Sequence, residues 1–496
     1  MPTVTLLRAG CCEVAEFPKT EDSMATQDVT ARPIAKADVE QLAGRLQGRA
    51  LLPDDPAYAE VRQPYNAMHG GRPDLIVSCV DSADVSEAIR FAREHGARIG
   101  VRGGGHSIAG LSAMDGGVLI DLSGMAGVEV DADQRLARVQ GGALWADVDQ
   151  ATQAVGLATP GGVVSDTGVA GLTLGGGYGW LRRMYGLSCD NVVEAEVVCA
   201  DGEVRTASAD ENQDLFWAIR GGGGNFGVVT SFTFRLHPVG PEVAFAATFY
   251  PIEETGEVMR RWRDYADRAP NEVTTVCVTI TFPANPELPE AIHDRPVIIV
   301  GAVHAGGVEE GLAELQPLRE LGTVLFDMSG PTPFVGVQTG FDPLFPRGEQ
   351  RAYWKSQYVD ELSDEAIDVI AQRAKSRPAP LTMVNTFRMG GAIADVDEEA
   401  TAFAERKPEY MLSLDGIWTD RADDAECVAW IRSTWDEVSE FGTGGVYLNF
   451  TGLADEAPSA GVDSAFGRNL SRLAEIKRIY DPGNVFDLNN NIRPAS

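Results

Sequence analysis

Arg102-Gly103-Gly104-Gly105-His106-Ser107 follows an apolar segment, Ala97 to Arg102, that reads as a strand. Three bare glycines let a backbone turn tightly and bring its N–H groups against a phosphate. A histidine at the exit of such a turn is able to transfer a proton, bind a metal or act as a nucleophile. By itself the run fits a purely structural turn equally well, because glycine turns are common. Working outward, Asp74 to Val80 reads as a strand and Ser82 to His95 as a helix, so the turn closes a β-α-β unit.

Composition narrows the class. A chain of 496 residues suggests about two or three domains. An apolar content of 44% is that of an ordinary folded protein. No apolar run approaches the roughly 18 residues of a membrane span, and no basic segment precedes an apolar core at the N-terminus, so no secretory signal is expected. The formal charge is −32, from 41 basic and 73 acidic residues, and only six residues are lysine. Such a surface repels phosphate backbones and anionic lipids, which excludes nucleic-acid and membrane partners. Its lysine-poor acidity resembles proteins adapted to concentrated salt; an acidic mesophilic enzyme is the alternative. Seven scattered cysteines (Cys11, Cys12, Cys79, Cys189, Cys199, Cys277 and Cys427) match no zinc spacing, and their odd number argues against a disulfide framework. Cytoplasmic thiols, and a cytoplasmic location, fit best.

Residues 1–25 show no periodicity and read as a disordered tail, or as an upstream extension if translation starts at Met24. Val39 opens a short amphipathic helix. Gly117 to Leu122 and Leu136 to Gln140 read as strands, and Ala143 to Val155 as a helix. A second glycine-rich block, Thr159 to Gly179, contains Gly161-Gly162-Val163-Val164-Ser165-Asp166-Thr167-Gly168 and then Gly171, Gly175-Gly176-Gly177-Tyr178. Glycine in a helix interior costs about 1 kcal/mol relative to alanine, so the block reads as backbone laid along an extended ligand. A third block, Gly221 to Gly227, ends a short helix over Asp214 to Arg220 and precedes the strand Val228 to Leu236, which carries Val229. Pro238 to Pro241 marks a boundary. Beyond it, strands at Val243 to Tyr250, Val273 to Phe282, Pro296 to His304 and Met411 to Trp418 alternate with helices near Glu253 to Ala266, Val308 to Leu321, Asp364 to Ser376 and Ala422 to Phe441. This texture suits a sheet backed by helices that shapes a substrate pocket. Asp463 to Tyr480 reads as a helix stopped by Asp481-Pro482-Gly483.

Taken together, the three glycine blocks, Tyr447-Leu448-Asn449-Phe450 and Tyr480-Asp481-Pro482-Gly483-Asn484-Val485-Phe486 resemble the flavin-dependent oxidases that share the FAD domain of vanillyl-alcohol oxidase and p-cresol methylhydroxylase (PCMH), in the berberine-bridge-enzyme-like branch. The resemblance spans about Asp74 to Pro238 and Gly445 to the C-terminus. It implies an α+β fold: a two-lobed PCMH-type FAD-binding domain over residues 26–238 and 447–496, and an antiparallel-sheet cap domain backed by helices over 239–446. It also implies that Arg102, Gly103, Gly104, Gly105, His106 and Ser107 wrap the FAD pyrophosphate, with His106 bonded to the flavin 8α-methyl carbon. Gly161, Thr167, Gly168, Gly171, Gly175, Gly176, Gly177 and Val229 complete the implied cofactor set. Plant members add a cysteine tether in a Gly-Gly-Val-Cys segment; here Val164 holds that position, so His106 is the expected sole anchor. Cys189 reads as an ordinary buried thiol. A single histidyl tether is similar to the bacterial 6-hydroxy-D-nicotine oxidases, and substrate does not transfer with a cofactor domain.

The chemistry expected is removal of hydride from a small alcohol, amine or sugar-type donor, with O₂ as acceptor. A flavin dehydrogenase with another acceptor, or a flavin-bearing binding protein without turnover, are the alternatives. A Rossmann enzyme is disfavoured because no single G-x-G-x-x-G opens a helix. Tyr447 and Asn449 would share one face of a strand entering the pocket, Tyr447 as base or as a structural tyrosine, and Asn449 orienting substrate or flavin. Tyr178 lines the pocket or packs; Tyr353, Lys355, Asn385 and Arg388 are further candidates from the cap. Asn489 and Asn491 either hydrogen-bond the isoalloxazine or close the terminus. Oligomeric state is not legible.

Overall fold

The computed structural model describes residues 34–284, 288–450, 452 and 464–496. Cys11, Cys12 and Met24 lie outside them. The architecture is α+β in two lobes.

The first lobe is built on two sheets. In a four-stranded sheet, Leu75–Ser78 and Ile99–Arg102 both run parallel to Val118–Asp121, which lies between them. The crossover helix Ser82–Glu94 starts where the Asp81 carboxylate accepts the Asp84 N–H at 2.9 Å. The β-α-β unit expected from sequence is therefore present, with a third strand inserted into it. A five-stranded antiparallel sheet follows in the order Val128–Asp131, Leu136–Gln140, Val228–Arg235, Val192–Val198, Val204–Ser208. The helix Leu470–Tyr480 packs on this lobe through Leu473 and Ile476.

The second lobe is an eight-stranded antiparallel sheet. Its path runs Phe326–Asp327, Glu242–Pro251, Pro296–His304, Val273–Thr281, Met383–Arg388, Tyr410–Trp418, Arg351–Val359, with Gly330–Pro333 beside the second of these. Arg351–Val359 and Met383–Arg388 lie where the sequence showed no strand, because polar residues interrupt a run that here is buried on both faces. One face carries Tyr353, Val384 and Leu414 against the helices Thr255–Ala266, Asp364–Ala374 and Asp424–Val438. Alternation sends their neighbours Trp354, Asn385 and Asp415 to the other face, toward the first lobe.

The second glycine block departs from expectation. Val169–Leu174 is a six-residue helix with Gly171 inside it. A Cβ at Gly171 would meet nothing within 4 Å, so its side faces open space. At Gly168 the reverse holds: a Cβ there would stand 2.4 Å from the Gly104 nitrogen, and one on Gly104 2.5 Å from the Gly168 nitrogen. The first two glycine blocks thus touch backbone to backbone. We expect Gly168→Ala to destabilise the fold by about 1–3 kcal/mol, the usual cost of overpacking. Gly171→Ala should not lower the melting temperature, and calorimetry of the two variants checks the contrast.

Candidate active site

A long cavity separates the glycine turns from the roof formed by the cap sheet. Gly103, Gly104, Gly105, His106, Ser107, Thr167, Gly168, Gly171, Gly175, Val229 and Asn489 line it, together with Tyr178, Tyr447 and Asn449. Five other expected contacts stand behind the wall. Arg102 turns its guanidinium toward Asp121, 4.0 Å away, and a Cβ on Gly161 would enter the Trp145 ring. Gly176 abuts Phe403, Gly177 donates its N–H to Tyr447 at 3.2 Å, and Asn490 lines the cavity where Asn491 was expected. Among the cap candidates, Asn385 reaches the cavity. Tyr353 lies under Arg432, Lys355 over the Trp435 ring, and Arg388 on Tyr410 and Glu409, all on the helix-covered side. A shift of one residue along a strand separates these from the residues that do reach the cavity.

His106 is held on two sides. Its ring stacks on Tyr65 with centroids 3.9 Å apart, and its Nε2 lies 3.0 Å from Asp166 Oδ1. A carboxylate only accepts, so in this pair Nε2 is the donor, and Nδ1 is left outside the contact. Burial works against the Asp166 charge, but the His106 and Arg347 contacts outweigh it and hold its carboxyl below the usual range. Arg347 comes from the cap and bonds the Gly104 carbonyl at 2.7 Å and the Asp166 carbonyl at 3.1 Å. Nearby, Asp342 accepts both the N–H and hydroxyl of Ser165, at 2.8 and 2.6 Å. These contacts fasten the cap to the two glycine turns.

Tyr447-Leu448-Asn449-Phe450 forms a turn rather than the strand expected, closed by Phe450 N–H to the Tyr447 carbonyl at 2.9 Å. The two side chains nevertheless meet: Asn449 Nδ2 donates to Tyr447 Oη at 2.9 Å. With Gly177 N–H also donating, that oxygen accepts two hydrogen bonds. Both favour the phenolate, but burial is the larger effect and pushes the Tyr447 hydroxyl up. The Tyr178 ring lies tilted beside it, centroids 4.7 Å apart, and its hydroxyl is raised by burial as well.

Asp415, Asp166, Arg347 and Tyr65 are site residues that sequence reasoning missed. Asp415 sits on the cavity face of Tyr410–Trp418, where Asn385 Nδ2 donates to Oδ2 at 2.6 Å and Ser413 Oγ donates to Oδ1. Burial pushes its carboxyl up to about 7 against both hydrogen bonds. A lone carboxylate inside a strand with no other charged residue was the available signal. Arg347 carried none, lying 243 residues from the carbonyl it binds.

Val164 lines the cavity, whereas Cys189 is fully buried, with Sγ 3.7 Å from Asp190 Oδ1. Asp190 in turn makes two 2.7 Å bonds to Arg406. Burial pushes the Cys189 thiol up, as suits an inert structural residue. At the C-terminus, Lys477 Nζ binds Asp481 at 2.6 Å, the Asn225 carbonyl at 2.7 Å and the Phe486 carbonyl at 3.0 Å. That explains the Tyr480-to-Phe486 signature: it staples the terminus to the third glycine block, leaving Asn489 and Asn490 at the cavity. Among the described residues, no group of three or more His, Cys, Asp or Glu is placed to hold a metal ion. No described helix is long and apolar enough to cross a membrane.

The cavity suits a dinucleotide-sized flavin. Side chains at Gly171 and Gly224 would project into open space along its wall, so both positions leave room for a ligand, while the glycine turns offer backbone for phosphates. Comparison with known proteins agrees. Residues 73–208 match the family described as FAD binding domain, and residues 446–493 the family described as berberine and berberine like. The chain is 32% identical over 461 residues to the uncharacterized FAD-linked oxidoreductase YgaK of Bacillus subtilis (strain 168), covering 91% of this chain and 98% of that one. It is 28% identical over 465 residues to (R)-6-hydroxynicotine oxidase of Paenarthrobacter nicotinovorans, covering 90% and 97%. The crystal structure of 6-hydroxy-D-nicotine oxidase from Arthrobacter nicotinovorans superposes with a TM-score of 0.80 at 25% identity, over 91% of this chain and 98% of that one. The chain belongs to the FAD-linked oxidoreductases of the berberine-bridge-enzyme-like branch, with a PCMH-type FAD-binding domain.

Proposed function

We propose that this oxidoreductase is an oxidase whose FAD is anchored through His106 alone, taking hydride from a small alcohol, amine or sugar-type donor and passing the electrons to O₂. The observation that carries the reading is Asp415, a buried carboxyl near neutrality in the roof of a cavity whose opposite wall is the glycine cradle. When bound, the flavin supplies the hydride acceptor and the path to O₂.

The residues divide the remaining work. Asp415 takes the proton from the donor's hydroxyl or amine; a base near pH 7 combines the correct charge state with useful basicity. Asn385 and Ser413 fix its two oxygens while leaving each a further lone pair. Tyr447, raised by burial and already accepting two hydrogen bonds, stays protonated and donates to donor or flavin. Asn449 holds the phenol in place and Tyr178 walls the pocket. At the tether, Asp166 occupies Nε2 of His106, so Nδ1 is the nitrogen free to bond carbon. Val164 offers no second nucleophile. The acidic surface and scattered buried thiols support a salt-rich cytoplasm as the setting.

Three outcomes are expected. Acid-precipitated parent protein stays yellow and His106→Ala releases its colour; a colourless parent pellet refutes the tether. Under anaerobic stopped flow, flavin reduction slows as pH falls through about 7, because protonated Asp415 is no longer a base. Asp415→Asn lowers that rate by about 10²- to 10⁴-fold and abolishes the pH limb. Dithionite-reduced protein mixed with air-saturated buffer regains its absorbance within a fraction of a second, whereas recovery over minutes assigns the chain to the dehydrogenases.

A further inference from the structure

We infer that Tyr65 is a positioning residue for flavin attachment: its ring, laid flat on His106, aims Nδ1 at the carbon to be bonded. The inference rests on the histidyl tether proposed above and adds the residue that orients it.

The hydrogen bond to Asp166 restrains the imidazole only weakly against rotation. The torsion about the histidine Cβ–Cγ bond is soft, and its axis passes close to Nε2, the atom that Asp166 holds at 3.0 Å. Turning about that axis barely stretches the bond, yet it swings Nδ1 out of place. A contact across the ring face blocks this motion. The Tyr65 ring supplies one, with centroids 3.9 Å apart and the two planes within 14° of parallel. Asp166 at the edge and Tyr65 across the face together fix the imidazole, with Nδ1 the nitrogen outside the carboxylate contact.

Tyr65 is itself locked to the turn it serves. It is fully buried; its N–H donates to the Gly105 carbonyl and its own carbonyl accepts the Gly348 N–H, both at 2.9 Å. Next in the chain, buried Asn66 donates to the Ile108 carbonyl at 2.8 Å and the Ala352 carbonyl at 2.7 Å, and accepts the Ala352 N–H at 2.9 Å. Gly105 and Ile108 flank His106, so both rings ride on one frame. The Tyr65 hydroxyl, by contrast, has no hydrogen-bond partner among the described residues. What this position contributes is the flat face.

Attachment exchanges one C–H of the flavin 8α-methyl group for an N–C bond from Nδ1. The hydrogen leaves with both bonding electrons, which pass by way of the flavin ring to O₂; one further proton from water completes peroxide. The imidazole keeps its Nε2 proton and ends as a cation. Both neighbours favour that charge. An aromatic face attracts a cation, and Asp166, despite its burial, is held below the usual carboxylate range by His106 and Arg347. Burial first, then the Asp166 and Asp415 charges, raise the Tyr65 hydroxyl, so the stacked ring stays neutral. Displacing aligned reacting atoms by about 1 Å costs up to about 10²-fold in rate.

The test mixes full-length protein from riboflavin-starved cells with FAD in air and follows, with time, the flavin carried into the acid-precipitated pellet. Total bound flavin and melting temperature are recorded alongside. We expect Tyr65→Phe, which keeps the face, to attach flavin at the parental rate. Tyr65→Leu should bind as much FAD but attach it at least about tenfold more slowly. Parental speed in Tyr65→Leu overturns the inference. So does Tyr65→Phe as slow as Tyr65→Leu, which assigns the effect to the hydroxyl, or slow attachment matched by an equal loss of bound FAD, which leaves Tyr65 a structural part only. If Tyr65→Leu does not fold, Tyr65→Met fills the same space without a flat face and is read the same way. A colourless parent pellet sinks the tether reading itself, whereas a coloured parent with an equally fast Tyr65→Leu sinks this inference alone.

Discussion

Gly104 and Gly168 meet where neither residue has a side chain, and the site depends on that contact. A single methyl group on either would collide with the other's backbone at about 2.5 Å. Because they approach so closely, the turn bearing His106 and the turn bearing Asp166 stand side by side, and the 3.0 Å histidine-carboxylate bond follows. Arg347 then joins the cap to both turns, through the Gly104 carbonyl and the Asp166 backbone. Cofactor wall, His106 and cap are thereby registered to one another through a backbone contact rather than through a core.

The cap sheet provides the other half of the chemistry by parity. Tyr353 and Trp354 are neighbours in sequence, yet one packs under helices and the other faces the cavity; Leu414 and Asp415 divide in the same way. Burying a carboxyl in that roof raises it toward neutrality, which turns an ordinary aspartate into a usable base. Asn385 and Ser413 compensate enough of the burial to keep it there. The tyrosine expected to serve as base has a more static place. Tyr447 is anchored by Gly177 and Asn449, and its hydroxyl is too well buried to ionise near neutrality.

Much of the first lobe was legible because its constraints are local. The three glycine blocks, the helix Ser82–Glu94 with its Asp81 cap and the strand Val228–Arg235 each follow from a few adjacent residues. The inserted strand Val118–Asp121 was visible as a strand but not as the centre of its sheet, since strand order depends on partners far along the chain. Arg351–Val359 and Met383–Arg388 escaped notice because strands buried on both faces lose the alternation that marks a half-exposed one. The helix Val169–Leu174 contradicted a propensity argument: the penalty for Gly171 is small beside the packing of Val169 and Ala170 into the core.

By itself, the sequence determined the cofactor class. Glycine turns, the lone histidine, Val164 in place of a cysteine and the C-terminal signature are local patterns, and backbone conformation and covalent reactivity are local properties. The tertiary structure alone decided which carboxylates matter. Asp166 and Asp415 are two among 73 acidic residues, indistinguishable by type. What sets them apart is a histidine 60 residues away for the one, and burial opposite the glycine cradle for the other. Desolvation and charge pairing are set by neighbours in space, and the order of residues along the chain does not contain those neighbours in readable form.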